Sequence, residues 1–218
     1  MGSGEDDVTL RQPLDLALDD EIQRVDLVVA RLWQLLSLLG FGGSLIFALT
    51  ISHPIGVWIA GFALGALVWF SGTVELLKRG RGGRGLWIST TVFESLVPWV
   101  SFVILVHAQS AEYALGSWVP PMLFCALVMG GVARLRPITP LVVGLSSSLS
   151  FIVLHFFVAK PALPIGAATQ ALFRDGTQLT RAVTLALSGA LGMYVSAGMR
   201  SVFARAESSA RAQDLFGK

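Results

Sequence analysis

One cysteine, Cys125, occurs in the 218 residues, so no intrachain disulfide and no thiolate metal cluster can form. Charge is nearly as scarce. Asp, Glu, Lys and Arg make up 14% of the chain, where about 25% is usual for a soluble domain. Leu32 to Val74, Leu135 to Val158 apart from Arg136, and Ala182 to Met199 contain no Asp, Glu, Lys or Arg. A helix that crosses a bilayer needs about 20 such residues. These runs are apolar on every side, which excludes the alternation of barrel strands. No removable signal peptide is expected from these residues either. Residues 1–21 carry seven acids and one Arg, the reverse of a targeting segment.

The catalytic vocabulary is equally thin. "RGRGGRG" is a basic turn between apolar runs, not the strand–loop–helix of a phosphate site. There is no HExxH, and no Ser/His/Asp set that the topology brings together. No Lys inside an apolar run offers a Schiff base, and no run carries a row of Arg like a voltage sensor. A transporter would call for broken helices or an inverted repeat, and neither is visible. No nucleic-acid partner is expected.

What is present is an all-α polytopic membrane protein. Six spans are expected at 32–52, 55–77, 86–107, 118–134, 138–158 and 182–200. Thirteen of the 16 Lys and Arg then fall on one side, among them the four in "KRGRGGRG", Arg134, Arg136 and Arg200. Only Lys160, Arg174 and Arg181 fall on the other. The asymmetry predicts that both termini are cytoplasmic. Residues 1–17 read as a flexible acidic arm and 18–31 as an amphipathic cytoplasmic helix, with Leu18, Ile22, Val25 and Val29 along one face and Asp19, Asp20, Glu21, Arg24 and Asp26 on the rest. That helix either lies along the inner leaflet or packs on another helix. Residues 32–200 form the six-helix bundle, and 201–218 a cytoplasmic C-terminal helix.

Lipid tails are as apolar as Leu, so helices in a bilayer associate through close packing and polar bonds. Small residues recur four apart at Gly40/Ser44, Gly61/Gly65, Ala126/Gly130, Gly144/Ser148 and Ser188/Gly192/Ser196. These are expected contact faces, within one bundle or between two copies. Pro98 should kink the third span.

Glu94 is the one acid well inside a span, roughly 12 Å from the cytoplasmic end at 1.5 Å per residue. Ser146, Ser147 and Ser148 fall at the same depth, so a carboxyl bonded to a serine hydroxyl is one expectation. A ligand, proton or interface sensor is the other. His53, His107 and His155 all fall on the extracytoplasmic side. Three imidazoles with an open position suit Zn²⁺ or Cu²⁺, with Glu112 or Asp175 as a carboxylate; the alternative is three unconnected interfacial histidines.

The last segment, "ARAESSARAQDLFGK", is charged and helix-prone. Phe203, Ala206, Ala210 and Gln213 recur in a weak heptad-like seam, suited to a short parallel coiled coil continuous with the sixth span. The segment resembles the junction in bacterial class III adenylate cyclases, where a charged helix after the last span leads into a phrase of the form "LFGKY". Leu215, Phe216, Gly217 and Lys218 match that phrase, and the six-span anchor with short loops is similar as well.

The resemblance implies a parent enzyme of the bacterial inner membrane that makes cyclic AMP from ATP with magnesium or manganese. Its active sites would lie at a dimer interface in a covalently linked cytoplasmic domain beyond Lys218. The present chain would then be the homodimeric membrane anchor and receptor-like regulator, embedded in lipid, sensing an unknown ligand and holding no catalytic residue. Two-fold pairing through Ser188, Gly192, Ser196, Phe203, Ala206 and Ala210 would carry the signal. The input module of a histidine kinase or diguanylate cyclase, and a free-standing transporter, are the competing readings.

Overall fold

The structure, a computed structural model, describes residues 5–51, 54–117 and 119–216. No strand occurs among them; the long elements are α1 (Glu5–Ile51), α2 (Pro54–Lys78), α3 (Arg84–Ala108), α5 (Val119–Ala133), α6 (Ile138–Leu154) and α7 (Asp175–Phe216), with a short α4 (Ala111–Gly116) between α3 and α5. Five segments are long and apolar enough to cross a membrane: Glu21–Thr50, Ile55–Lys78, Arg84–Ala108, Ile138–Ala162 and Asp175–Ala206. This is the pattern of a multi-pass membrane protein. The expected fourth span corresponds to α5, an apolar helix of 15 residues that is shorter than these five segments and is not among them.

Two boundaries differ from expectation. Residues 5–17, read as a flexible arm, continue helix α1. Acids near a helix N-terminus interact favourably with the helix dipole, so the acidity that suggested an arm is compatible with a helix. The final helix begins at Asp175, seven residues before the expected 182, with Asp175 itself in the first turn. Arg181 is therefore a helical residue within the span and not a loop charge.

α1 and α2 form an antiparallel pair so close that a Cβ on Gly56 would lie 2.8 Å from the Ala48 backbone. α3 is central and packs on α2, α5 and α6, while α6 and α7 form a second tight pair. One core cluster joins Val29, Trp33, Phe70, Val97, Phe124, Leu127 and Val143. Trp33 and Phe70 stack in it with ring centroids 5.9 Å apart. The other cluster lies toward α4 and joins Trp99, Phe102, Leu115, Phe151, Phe173 and Ala182. α4 closes that end, its first turn capped by Ser110, whose hydroxyl oxygen accepts from the Tyr113 N–H at 3.0 Å. Ile22 and Val29 are buried, so the amphipathic stretch of α1 faces the bundle and not a leaflet. Val29 and Trp33 pack over Gly130 of α5.

α6 does not end in an ordinary cap. His155–Ala159 widens into a π turn, followed by a 3-10 turn at Lys160–Ala162. Pro161 has no N–H to give to residue 157, so the α pattern cannot run through it.

Candidate functional site

The most concentrated polar chemistry lies where α1, α3 and the α5–α6 turn meet. Arg134, just past α5, reaches Glu94 of α3 in a two-pronged contact. Its Nη1 donates to Glu94 Oε2 at 2.9 Å and its Nη2 to Glu94 Oε1. Both side chains are fully buried. On its other flank the Arg134 Nε lies 3.6 Å from Asp26 Oδ1 of α1. Arg136 Nη2 donates to Asp26 Oδ2 at 3.3 Å, and its guanidinium carbon lies 5.7 Å from the Trp87 ring centroid. Trp87 in turn donates to Thr139 Oγ1 at 2.9 Å. Two acids and two bases thus bind three elements into one neutral unit. The planar fork of Arg suits this role, since it pairs both carboxylate oxygens at once.

The turn that makes the arrangement is unusual. Leu135 has φ +54°, the left-handed region, and its side chain is buried. That conformation costs a non-glycine residue about 1–2 kcal/mol. It places the residues on both sides of Leu135 against one carboxylate, Asp26. The unit offers no nucleophile and no open ligand position, so its chemistry is that of a latch.

The expected serine partner for Glu94 is corrected: the carboxylate is taken up by Arg134. Ser146 Oγ donates to the Val143 carbonyl at 3.1 Å, Ser147 Oγ is buried without a partner, and Ser148 is half-buried. Sequence reasoning had used Arg134 and Arg136 only to orient the spans, and Asp26 only as a polar face. The signal that would have found the latch is the need of a membrane-buried acid for a base at its own depth.

The histidines occupy different settings. His53 lies outside the described residues. His107 is exposed near the end of α3, whereas His155 is buried. His155 Nε2 lies 3.0 Å from Asp175 Oδ1, and Lys160 Nζ donates to Asp175 Oδ2 at 2.6 Å. A lysine ammonium already occupies the carboxylate that a metal would use. Among the described residues no three His, Cys, Asp or Glu side chains are grouped to hold a metal ion, and Glu112 joins no such group.

The small-residue face of α7 is likewise relocated. A Cβ on Gly192 would lie 2.9 Å from Pro140 and 3.0 Å from Val128, and Ser196 is fully buried. Ser188 is half-buried and donates to the Thr184 carbonyl. Gly192 faces α5 and α6 of the same chain and Ser196 is buried, which removes these two residues from a contact between copies. About two and three turns beyond Ser196, Phe203 and Ala206 are exposed; the side chain of Ala210, and Gly217 and Lys218, lie outside the described residues.

No protein-family model, no curated protein and no solved structure matches the chain.

Proposed function

We propose that this chain is the membrane anchor and receptor-like regulatory module of a class III adenylate cyclase. The observation that carries the reading is α7. It runs unbroken for 42 residues, about 63 Å at 1.5 Å per residue, against a hydrocarbon core of about 30 Å. One face of it is locked into the bundle at Gly192 and Ser196, and the same face emerges bare at Phe203 and Ala206. A continuous helix passes a rotation or shift at one end to the other. In this reading the bundle has six spans, α5 crosses with its flanking residues, both termini are cytoplasmic, and two copies pair through the bare stripe. The likeness of 204–218 to the cyclase junction names the output as conversion of ATP to cyclic AMP.

Two expected results follow for topology and pairing. Reporter fusions at Gly82 and Ser201 read cytoplasmic, and one at Ala167 reads external; an external signal at Gly82 sinks the orientation. In a chain with the exposed Cys125 replaced by Ser, single cysteines at 203 and 206 cross-link between copies, and one at 205 does not. Equal cross-linking at all three positions removes the paired helix.

The function itself is tested by joining a class III catalytic domain after Lys218 in membranes. Cyclic AMP formation falls at least fivefold when one alanine is inserted between Ala204 and Arg205, which turns the helix by about 100°. Seven inserted residues, close to two full turns, restore it. Activity indifferent to both insertions excludes signalling through α7.

A further inference from the structure

A second feature of the bundle lies apart from the latch and is walled in part by the first turns of α7. Between α3, α5, α6 and α7, toward the α4 end, lies a cavity of about 610 Å³. That size is within the range of pockets that hold small molecules, about 300–1,000 Å³. Trp99, Phe102, Phe124 and Phe151 supply most of its apolar wall. Its polar groups are few. Trp99 Nε1 and Ser147 Oγ, each on a buried side chain, have no hydrogen-bond partner. Both atoms are shut off from the open space, so the residues line the cavity through their other atoms.

The third polar group is Arg181. Its Nη1 donates to the Leu115 carbonyl at 2.5 Å and to Gln178 Oε1 at 3.4 Å, both uncharged. Among the described residues no carboxylate pairs with it, and no Asp or Glu lines the cavity. The guanidinium is half-buried and bonds only neutral acceptors, so an anion entering the cavity meets an unneutralised positive charge. The hydroxyls of Thr180 and Thr184 donate to their own helix, at the Gly176 and Thr180 carbonyls, and add no negative charge. Pro121, Thr180 and Thr184 are exposed at the rim. They sit on α5 and α7, so the cavity is open between these two apolar helices.

We infer that this cavity binds a single-chain amphiphile with a carboxylate head, its oxygens taken by Arg181 and its chain laid along the aromatic wall. The inference deepens the receptor-like reading by naming the ligand class. Its test needs no output domain, so a failure of binding and a failure of the cyclase fusion are separate results.

The probe is hexadecanoate carrying a mid-chain diazirine, photolysed with the full chain in nanodiscs. Label maps to 120–124 and to the Phe151 turn of α6. Unlabelled hexadecanoate displaces it, and hexadecanol, which has the chain without the charge, displaces it at least tenfold less well. Arg181→Gln weakens labelling at least tenfold, and Arg181→Lys, which keeps the charge, retains most of it. Ser147→Leu fills the cavity and removes an unpaired hydroxyl, so it abolishes labelling while thermal stability is held or raised. Label spread over outward residues such as Leu49 and Val57, or full labelling in both the Arg181→Gln and Ser147→Leu variants, overturns the inference. Displacement by lysophosphatidate as effective as by hexadecanoate overturns it in favour of a phospholipid headgroup.

Discussion

Arg134→Met is expected to be among the most damaging single changes in the chain, lowering stability by about 3–5 kcal/mol, the usual consequence of breaking a buried ion pair from one side. The reason is what stays behind. Glu94 keeps its place in α3 with both oxygens buried and no base beside it, and Asp26 is left with Arg136 alone. Unfolding of the purified chain in micelles, followed by tryptophan fluorescence, reads the loss directly. The double variant Glu94→Gln with Arg134→Met removes both charges and is expected to recover at least half of it. Taking out a whole buried pair is far cheaper than orphaning one partner. A double variant no better than Arg134→Met would mean that the guanidinium acts through packing and not through Glu94.

That latch shows where a sequence runs short. The spacing of Ile22, Val25 and Val29 was enough to predict the amphipathic start of α1, and the two buried members of that stripe face the bundle. Periodicity tells which face is apolar but not which helix covers it, because that depends on contacts between residues about a hundred positions apart. Asp26 and Arg136 are 110 residues apart in the chain, and Glu94 and Arg134 are 40 apart. Nothing local joins either pair. What sequence can supply is the demand for a partner: an acid well inside a span, and bases at the ends of neighbouring spans on the same side.

The helices themselves were far more legible. The expected 55–77 and 86–107 correspond to Pro54–Lys78 and Arg84–Ala108, because charge and glycine punctuate long apolar runs at those places. The misplacement came in the stretch 160–181, rich in small and polar residues, where a loop was expected and α7 had already begun at Asp175. Asp at a helix start is favoured by the helix dipole, and that signal was available. Its effect on function is large, since it turns Arg181 from a topology marker into a wall of the cavity. Of the small-residue pairs expected as contact faces, some meet another helix of the chain and others do not. Gly144 meets Gly189 of α7, whereas Gly61 and Gly65 meet nothing within 4 Å.

Gly189→Ala carries the second large expected effect. A Cβ there would lie 2.7 Å from the Gly144 Cα and 2.7 Å from the Pro140 carbonyl oxygen, and the reciprocal Cβ on Gly144 would lie 2.6 Å from the Gly189 Cα. These obstacles are backbone atoms, so no side-chain rotation relieves them and α6 and α7 must separate. Overpacking of this kind costs about 1–3 kcal/mol, and the rigidity of the neighbours places this site toward the upper end. Gly144→Ala is expected to cost about as much. The double variant should cost less than the two together, since helices already parted for one methyl accommodate the other. Gly61→Ala and Gly65→Ala serve as the contrast: both sites are open, and replacing Gly by Ala inside a helix is worth roughly 0.5–1 kcal/mol in favour of the helix. The same pair of results bears on signalling, because Gly189 fixes α7 against α6 about four turns before its bare stripe begins at Phe203. In the cyclase fusion, Gly189→Ala should change cyclic AMP output at temperatures where the chain is still folded, and Gly65→Ala should not. Equal stability and equal output for Gly189→Ala and Gly65→Ala would show that α7 is not held by α6, and the proposed route from bundle to output would lose its fixed point.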